Sequence, residues 1–276
     1  MKILNQTNNS VSDFVILQDQ KWLDRQRIAG RVVANTLTLL ENAVKENTTK
    51  SLIELNAMAE EYIENNGCSA TFKNYKGFPA GVCISINRQL VHGIPTDYKL
   101  QDGDKISFDL GATYEGAIAD SAITLIYGEP KSKKHAALAA DTQQALYTGI
   151  KAISIGKKIG VIGNAIHKLL KDEYDVIVNY GGHGISYNKP HAQPFIANRS
   201  TPNDGVRIQA GMTIAIEPMA TLRSTHFATK TSEDGWSVMT TEIGAHWEHS
   251  LYIHHDHIEI VTHRENEAIN RDIYFQ

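Results

Sequence analysis

Four carboxylates lie at positions where a proton or a cation would be needed to neutralise them. Asp109 and Asp120 flank a predicted hairpin, and Glu217 and Glu248 each adjoin a short apolar run in the second half of the chain. A two-residue turn at Tyr114-Glu115 would place Asp109 directly opposite Asp120, with Cβ atoms about 4.5–5.5 Å apart. Carboxylates that close repel each other, so one is protonated or a cation lies between them. Carboxylates that bridge two divalent ions are typical of two-metal hydrolases, whereas either Asp taken singly is explained as a solvated residue beside a turn.

The two halves of the chain resemble each other around these acids. Residues 101–112 align with residues 209–220, and the alignment places a carboxylate at the same position in each segment. A His-Gly-Ile triplet precedes each segment, at His92 and His183. A match this short also has chance as an alternative explanation. A true repeat would bring one histidine and one carboxylate from each half to a shared centre.

The composition limits what could neutralise the acids. The 276 residues include 27 Lys and Arg against 31 Asp and Glu, a net charge of −4 that argues against a basic nucleic-acid patch. With only Cys68 and Cys83, a disulfide scaffold and a thiolate zinc site are excluded, so nitrogen and oxygen must bind any metal. The chain lacks a run of about 18 apolar residues and a secretory signal, which predicts no membrane contact and a cytoplasmic location.

Hydrophobic periodicity predicts the elements that position these residues. One helix has its apolar positions between Trp22 and Val44, a second begins at the capping box Ser51-Leu52-Ile53-Glu54, and two more follow Pro130 and span residues 159–170. Short strand-like runs alternate with them, at residues 82–86, 105–110, 118–126, 176–178, 212–216 and 251–253. This pattern predicts a single α/β domain over residues 21–276, preceded by a loosely ordered N-terminal arm over residues 1–20.

An ordered series of motifs runs through the chain: Val91-His92-Gly93-Ile94-Pro95, Asp109, Asp120, Gly182-His183-Gly184-Ile185, His191-Ala192-Gln193-Pro194, Ile216-Glu217-Pro218 and Glu248-His249. Together they resemble the type I methionine aminopeptidases, over about residues 20–262. Each motif alone is weak, but the full set in this order is specific. The resemblance implies a pita-bread fold, in which a pseudo-two-fold pair of α/β halves surrounds a central antiparallel sheet.

The resemblance also implies a site. Two divalent metal ions would be bound by Asp109, Asp120, His183, Glu217 and Glu248. This donor set suits Mn, Fe, Co or Zn without selecting among them. In metal-assisted hydrolysis of the first peptide bond Glu217 would also transfer a proton, His191 would donate to the substrate carbonyl, and His92 would contact the backbone after the scissile bond. The methionine pocket would be lined by Tyr75, Phe78, Cys83 and Trp236, although aromatic residues of this kind are more often core.

The chain departs from the family near the pocket. The usual His-Glu-x-Pro motif is His191-Ala192-Gln193-Pro194, it lies one residue farther from His183 than expected, and Pro190 replaces a residue that is often aromatic. Residues 71–75 carry one extra residue. These changes leave the metal ligands intact but alter one wall of the pocket. The run from His254 to His257 is interpreted as a polar turn and not as a second metal site, and no role is given to His135, His167, His226, His246 and His263.

The predicted function is release of the initiator methionine from nascent polypeptides by a monomeric metalloaminopeptidase. Its expected partners are nascent peptide N-termini, with transient contact to the ribosome. Two alternatives remain: a pita-bread relative that cleaves next to proline, as an X-Pro aminopeptidase or dipeptidase, and a non-catalytic peptide-binding paralogue. The first usually carries a large extra N-terminal domain, for which the residues before the first helix leave no room. The second should lack a metal ligand, and all five are present.

Overall fold

The computed structural model describes residues 2–5 and 14–275. Within them the chain forms four α-helices and one 3-10 turn: α1 Gln20–Lys45, α2 Leu52–Asn65, Tyr75–Gly77 as the 3-10 turn, α3 Lys133–Lys151 and α4 Gly160–Leu170. The strands of the same residues are β1 Lys2–Asn5, β2 Phe14–Leu17, β3 Ser69–Ala70, β4 Val82–Ile86, β5 Gln89–Val91, β6 Lys105–Tyr114, β7 Ala117–Ile126, β8 Tyr174–Val176, β9 Gly181–Ser186, β10 Lys189–Ala197, β11 Thr213–Ile216, β12 Met219–Leu222, β13 Thr229–Thr231, β14 Val238–Thr240, β15 Gly244–His246, β16 Glu248–Ile253, β17 His257–Ile260 and β18 Asp272–Tyr274. None of the helices found in these described residues is long and apolar enough to cross a membrane.

The four predicted helices are confirmed, and the first two begin at side-chain caps. Asp19 caps α1 by accepting the Trp22 backbone N–H at 2.9 Å. The capping box of α2 is formed as predicted: Ser51 Oγ accepts the Glu54 N–H at 3.3 Å, and Glu54 Oε2 accepts the Ser51 N–H at 2.7 Å. These bonds satisfy backbone donors that the first turn of a helix leaves without partners, so each helix starts at a defined residue.

A ten-stranded antiparallel sheet forms the centre of the fold. Its main path is β10-β9-β11-β16-β7-β6-β3, with β4 beside β6, β17 beside β16 and β18 beside β17. The two halves of the chain join where β16 pairs with β7, which sets Glu248 opposite Ala122 and His249 opposite Ser121. Helix α1 packs against β6 and β7. Of the six predicted strands, only the run at residues 176–178 is wrong, because that strand ends at Val176.

The N-terminal region is more regular than the loose arm predicted for residues 1–20. Strands β1 and β2 pair with each other, from Lys2 opposite Leu17 to Asn5 opposite Phe14. The Gln18 backbone N–H donates to the Gly211 carbonyl at 2.7 Å, so the chain is held to the domain just before α1. Residue 1 and residues 6–13 lie outside the described residues, and the prediction of a loose arm stays untested there.

The hairpin of β6 and β7 exists, but its predicted register is wrong. The turn is Glu115-Gly116, not Tyr114-Glu115, so Asp109 faces Ala122 and Asp120 faces Gly111. Glu115 and Gly116 have φ values of +46° and +79°, and a two-residue turn of this kind favours glycine at its second position. The register therefore moves by two residues. Because side chains alternate with a period of two, both aspartates stay on one face, as diagonal neighbours.

A lysine is fully buried in the same sheet. Lys105, on β6, is 1% exposed. Its ammonium group donates to the carbonyl of Gln89 at 2.8 Å and contacts the carbonyl of Ser85 at 3.3 Å and Ser107 Oγ at 3.4 Å. All three partners are neutral oxygens, and burial lowers the pKa of Lys105 from 10.5 to about 7. This lysine therefore joins the β4–β5 hairpin to β6 without a counter-ion.

Replacing Lys105 should change how stability depends on pH. Between about pH 7 and 10.5 the unfolded chain binds a proton at Lys105 that the folded protein does not, so wild-type stability rises with pH in that window. Lys105→Met has no proton to lose at this position, so its stability lacks this rise with pH. The free energy of unfolding of the variant minus that of the wild type should fall by about 3 kcal/mol from pH 6 to pH 9, as measured by urea unfolding. Lys99→Met, at an exposed position, is the control, and a pH-independent difference for Lys105→Met would contradict the expectation.

Candidate metal centre and substrate cavity

Five adjacent strands of the central sheet carry the five predicted metal ligands. In spatial order the strands are β6, β7, β16, β11 and β9, and the residues are Asp109, Asp120, Glu248, Glu217 and His183. Glu217 directly follows the last residue of β11, and the other four lie within their strands. The spatial order differs from the chain order because β16 inserts between β7 and β11. The sheet thus brings together residues that are far apart in sequence.

The side chains of these residues are close enough to share cations. His183 Nε2 lies 3.7 Å from Glu217 Oε1 and 3.7 Å from Glu248 Oε1. One ligand atom from each of His183, Glu217 and Glu248 lies within 4.8 Å of the others, and the same holds for Asp109, Asp120 and Glu248. Glu248 belongs to both of these triads, and a third triad of the same spacing is formed by Asp120, His183 and His191. The arrangement therefore offers two neighbouring positions for an ion, with one carboxylate in common.

Burial makes this group of acids unfavourable without a cation. Burial, and then the neighbouring Asp120, raises the pKa of Asp109 well above its usual range, and burial raises the pKa of Asp120 to about 7. Burial, followed by repulsion from the neighbouring carboxylates, also raises the pKa values of Glu217 and Glu248. Three buried oxygens of these acids have no hydrogen-bond partner within the described chain: Asp109 Oδ1, Asp120 Oδ1 and Glu248 Oε1. Unpaired carboxylate oxygens beside an imidazole are a donor set that fits a divalent metal ion.

His183 is neutral and held in one orientation. Burial lowers its pKa to about 4, so the ring has a free lone pair at neutral pH. Its Nδ1 lies 3.1 Å from the Gly184 carbonyl, which leaves Nε2 directed at the glutamates. The close backbone approach predicted from the glycines is confirmed. A Cβ on Gly182 would lie 2.3 Å from the Ala215 carbonyl oxygen, and one on Gly184 would lie 2.0 Å from that of Gln193.

Two buried serines fix the backbone beneath two of the acids. Ser250 Oγ accepts the Asp120 backbone N–H at 2.8 Å and contacts the Asp120 carbonyl, also at 2.8 Å. Ser121 Oγ donates to the Glu248 carbonyl. These bonds cross the junction between β7 and β16, where the two halves of the chain meet. They hold Asp120 and Glu248 at a fixed separation although the two acids repel each other.

A cavity of about 320 Å³ opens over the acids. All four predicted pocket residues line it, and three of them, Phe78, Cys83 and Trp236, form an apolar end together with Phe72. The rings of Phe78 and Trp236 meet edge to face at 5.3 Å, and Tyr75 lies at the same cavity. Burial raises the pKa of the Cys83 thiol well above its usual range, so this side chain is a neutral, soft apolar surface.

Both predicted catalytic histidines line the same cavity. The ring of His191 lies 4.6 Å from that of His183, and it tilts against Tyr75 at 5.5 Å. His92 has a φ of +59°, a backbone conformation that is rare outside glycine. Its ring meets the ring of Tyr180 edge to face at 5.9 Å, and burial lowers its pKa. Both imidazoles thus lie within reach of a substrate bound over the acids.

The sequence interpretation missed part of the site. His246, which was given no role, is buried, and its Nε2 lies 3.3 Å from Glu217 Oε2. Burial lowers the pKa of His246 to about 3. Its position two residues before Glu248 was the available signal, since such a spacing shares one face of an extended chain. Other residues lining the cavity that were not predicted are Phe72, Lys76, Val91, Asn179, Tyr180, Gly181, Phe195 and Met219.

Residues 254–256 connect β16 to β17 through a bend, as expected for a turn, and His257 is the first residue of β17. His254 Nε2 lies 3.1 Å from Glu259 Oε2, and Glu259 also binds Arg27 and Arg271. Across the part of the chain that the structure describes, the groups of three or more side chains with metal-ligand spacing all lie in the central cluster. Two arginines neutralise Glu259, which fits the interpretation of this run as a polar turn.

The combined arrangement supports one kind of chemistry. Buried carboxylates that can hold cations lie beside neutral histidines and next to an apolar pocket. Cations held there would polarise a carbonyl group, and a neighbouring carboxylate would move the proton that hydrolysis requires. The geometry therefore suits hydrolysis of a bond next to an apolar side chain.

Comparison with known proteins also points to hydrolysis of a peptide bond. The model of metallopeptidase family M24 matches residues 24–255. A methionine aminopeptidase of Mycoplasma capricolum is 40% identical over 254 residues, which cover 91% of this chain and 99% of the relative. Methionine aminopeptidase 1 of Bacillus subtilis is 36% identical, with 90% and 99% coverage.

Solved structures resemble this one over nearly its whole length. The methionine aminopeptidase of Rickettsia prowazekii superposes with a TM-score of 0.84 at 30% identity, covering 90% of this chain and all of that one. A prolidase from Pyrococcus furiosus, at 20% identity and a TM-score of 0.69, shares the fold only, and this chain covers 66% of it. The predicted pita-bread fold is thereby confirmed, and the chain belongs to metallopeptidase family M24, within which it groups with the methionine aminopeptidases.

Proposed function

We propose that this protein is a metal-dependent methionine aminopeptidase that removes the initiator methionine from nascent polypeptides. The observation that carries the proposal is the cluster of four carboxylates and one imidazole on five adjacent strands, open to an apolar cavity. Relatives named methionine aminopeptidase, which match this chain over about nine tenths of its length, support the same activity. The cytoplasmic location, the monomeric state and the contact with the ribosome stay predictions.

The proposed metal ligands form two overlapping sets. His183, Glu217 and Glu248 would hold one divalent ion, and Asp109, Asp120 and Glu248 would hold the other, consistent with two of the three triads of ligand atoms. Oxygen and imidazole donors suit Mn, Fe, Co or Zn. When bound, the ions would polarise the scissile carbonyl and lower the energy of the negative charge that develops on its oxygen.

The proton transfers are assigned to Glu217. Its carboxylate would accept a proton from the attacking water and deliver it to the leaving amine, a role that suits a buried acid with a raised pKa. His246 Nε2 lies 3.3 Å from Glu217 Oε2 without forming a hydrogen bond to it, and would orient this carboxylate once Glu217 turns toward the ring. His191 would donate to the substrate carbonyl oxygen, and His92 would bind the backbone of the residue after the scissile bond. Both imidazoles line the cavity where these groups would lie.

The apolar end of the cavity is assigned to the methionine side chain. Phe78, Cys83 and Trp236 form a soft, apolar surface, and Tyr75 lies beside them. A thioether interacts favourably with aromatic rings, and a buried thiol behaves as a small apolar group, so these residues would accept methionine. A charged side chain would lose its hydration there without gaining a partner. The pocket is therefore expected to prefer methionine over lysine or aspartate at the N-terminus.

The test is release of methionine from the peptide Met-Ala-Ser. The chelated protein should be inactive, and Mn, Fe, Co or Zn should restore cleavage, as measured by the free methionine produced. N-acetylated Met-Ala-Ser is the matched control, because an aminopeptidase requires a free N-terminus. Absence of metal-dependent methionine release from folded protein would refute the proposal. Faster cleavage of Ala-Pro-Ser than of Met-Ala-Ser would instead favour an X-Pro aminopeptidase.

A further inference from the structure

A buried polar group lies directly behind the carboxylate that the two proposed ions share. Glu248 and His249 are neighbours on β16, and because the side chains of a strand alternate between its two faces, His249 points away from the acids. His249 is 1% exposed. Its ring nitrogens lie 3.0 Å from Thr262 Oγ1 and 3.1 Å from Glu267 Oε1. Both partners follow β17 in the chain, so the C-terminal segment reaches back to the strand that carries Glu248.

The donors and acceptors of this group fix the orientation of the His249 ring. Burial opposes ionisation of Glu267, but its interactions with His249 and Arg264 lower the pKa to about 2, so Glu267 is a carboxylate that only accepts. His249 Nε2 therefore donates to Glu267. Thr262 Oγ1 accepts the Ser250 backbone N–H at 3.1 Å and can donate its own hydrogen to His249 Nδ1. Both ring nitrogens are thus paired, which leaves the ring one orientation.

An arginine extends the same group to the residue on the other side of Glu248. Arg264 is 4% exposed, and its guanidinium lies over the ring of Trp247, 5.6 Å from the ring centroid. Arg264 Nη2 donates to Glu267 Oε1 at 2.7 Å, and the Arg264 backbone N–H donates to Glu267 Oε2 at 3.0 Å. Glu267 therefore connects to His249 directly and to Trp247 through Arg264. These two residues are the immediate neighbours of Glu248 in the chain.

Strand β16 changes its pairing partner at the same place. It pairs with β7 at its first two residues and with β17 at its last three. Ser250 lies between the two pairings. The Val261 backbone N–H donates to the Ser250 carbonyl at 2.9 Å, and Thr262 accepts the Ser250 N–H. Residues 261–267 therefore hold β16 at the point where it enters the metal centre.

We propose that Thr262 and Glu267 are positioning residues of the metal centre, which hold Glu248 in place through His249. The proposal rests on the proposed metal-dependent function and adds to it the side chains that fix the shared ligand. Repulsion from the other acids would displace Glu248 if its strand were free to move. A site held in one arrangement binds an ion more tightly than a mobile one, because less conformational freedom is lost on binding.

The test is the Mn²⁺ affinity of the chelated full-length protein, measured by titration calorimetry. Thr262→Val keeps the size of the side chain and removes the hydroxyl, and it should bind Mn²⁺ about 10–100-fold more weakly than the wild type. Thr262→Ser restores the hydroxyl and should return the Kd to the wild-type value. Thr142→Val is the matched control, since the Thr142 hydroxyl is equally buried and donates to the Leu138 carbonyl within α3 at 2.7 Å. This control should keep the wild-type Kd.

The outcomes separate this proposal from the function on which it rests. If the wild type binds no Mn²⁺, the proposed metal centre itself fails. If Thr262→Val folds and binds Mn²⁺ as tightly as the wild type, or no more weakly than Thr142→Val, the proposal is overturned. If Thr262→Val does not fold, Glu267→Gln decides in the same way, because it keeps the size of the side chain and removes the charge. If neither variant folds without metal, these contacts serve the fold as a whole, which also overturns the proposal.

Discussion

Glu217→Gln should lower kcat for Met-Ala-Ser by about 10²–10⁴-fold while the protein stays folded, because an amide cannot carry the proton from water to the leaving amine. The variant should also unfold at or above the wild-type temperature when no metal is present. The change removes one of four buried carboxylates that repel one another. Kinetics at saturating metal and thermal unfolding after chelation measure the two effects.

Metal content must be determined with this variant, since Glu217 also belongs to one ligand triad. A variant that binds metal normally and is still inactive has lost the proton transfer, whereas an inactive variant that lacks metal has lost a ligand. Glu242→Gln, at an exposed position just before β15, is the matched control and should keep wild-type kcat. A Glu217→Gln enzyme with kcat within about threefold of the wild type would remove Glu217 from the proposed chemistry.

Metal removal should make stability fall as the pH rises. In the chelated protein burial raises the pKa values of the four acids, that of Asp120 to about 7, so the folded state binds protons that the unfolded state has released. The stabilisation from these protons is fully present below about pH 4, the ordinary carboxylate pKa, and is lost as the pH rises through the folded-state value. Bound cations replace the protons, so metal should stabilise the protein more at pH 8 than at pH 5.

Thermal unfolding with and without Mn²⁺ at the two pH values measures this effect. At a free ion concentration 100 times its Kd, each site should add about 2.7 kcal/mol to the free energy of unfolding at pH 8. The gain should shrink at pH 5 because protons compete for the same oxygens. Glu248→Gln should weaken the metal effect most, since Glu248 is the residue shared by both proposed ligand sets. An equal shift at both pH values would mean that these carboxylates do not bind the ion.

Much of the local structure follows directly from sequence. The capping box at Ser51 and the apolar periodicity of α1 depend on residues within a few positions of each other, so a helix can be predicted without its surroundings. The hairpin register could not be obtained in the same way. The register depends on which two residues adopt positive φ. Because glycine adopts positive φ easily, Gly116 places the turn at Glu115-Gly116. A shift of two residues left the aspartates on one face but made them diagonal neighbours.

The site residues that were missed depend on contacts between distant segments. His246 reaches Glu217 because β15 pairs with β12, which places His246 opposite Met219. Phe195 reaches the cavity through register shifts in β10 and the absence of a side chain at Gly181. The spacing of residues along the chain predicts neither of these positions, because strand pairing and bulges are set by packing across the sheet.

The sequence by itself determined the types of the five candidate ligands, their order along the chain and the glycines around His183 that let strands approach closely. Only the tertiary structure decided their spatial order, with Glu248 on β16 between Asp120 on β7 and Glu217 at the end of β11. The physical reason is that antiparallel pairing across the two halves brings four carboxylates into one buried space. Their repulsion and their raised pKa values exist only once that space has formed, and so does the need for a cation.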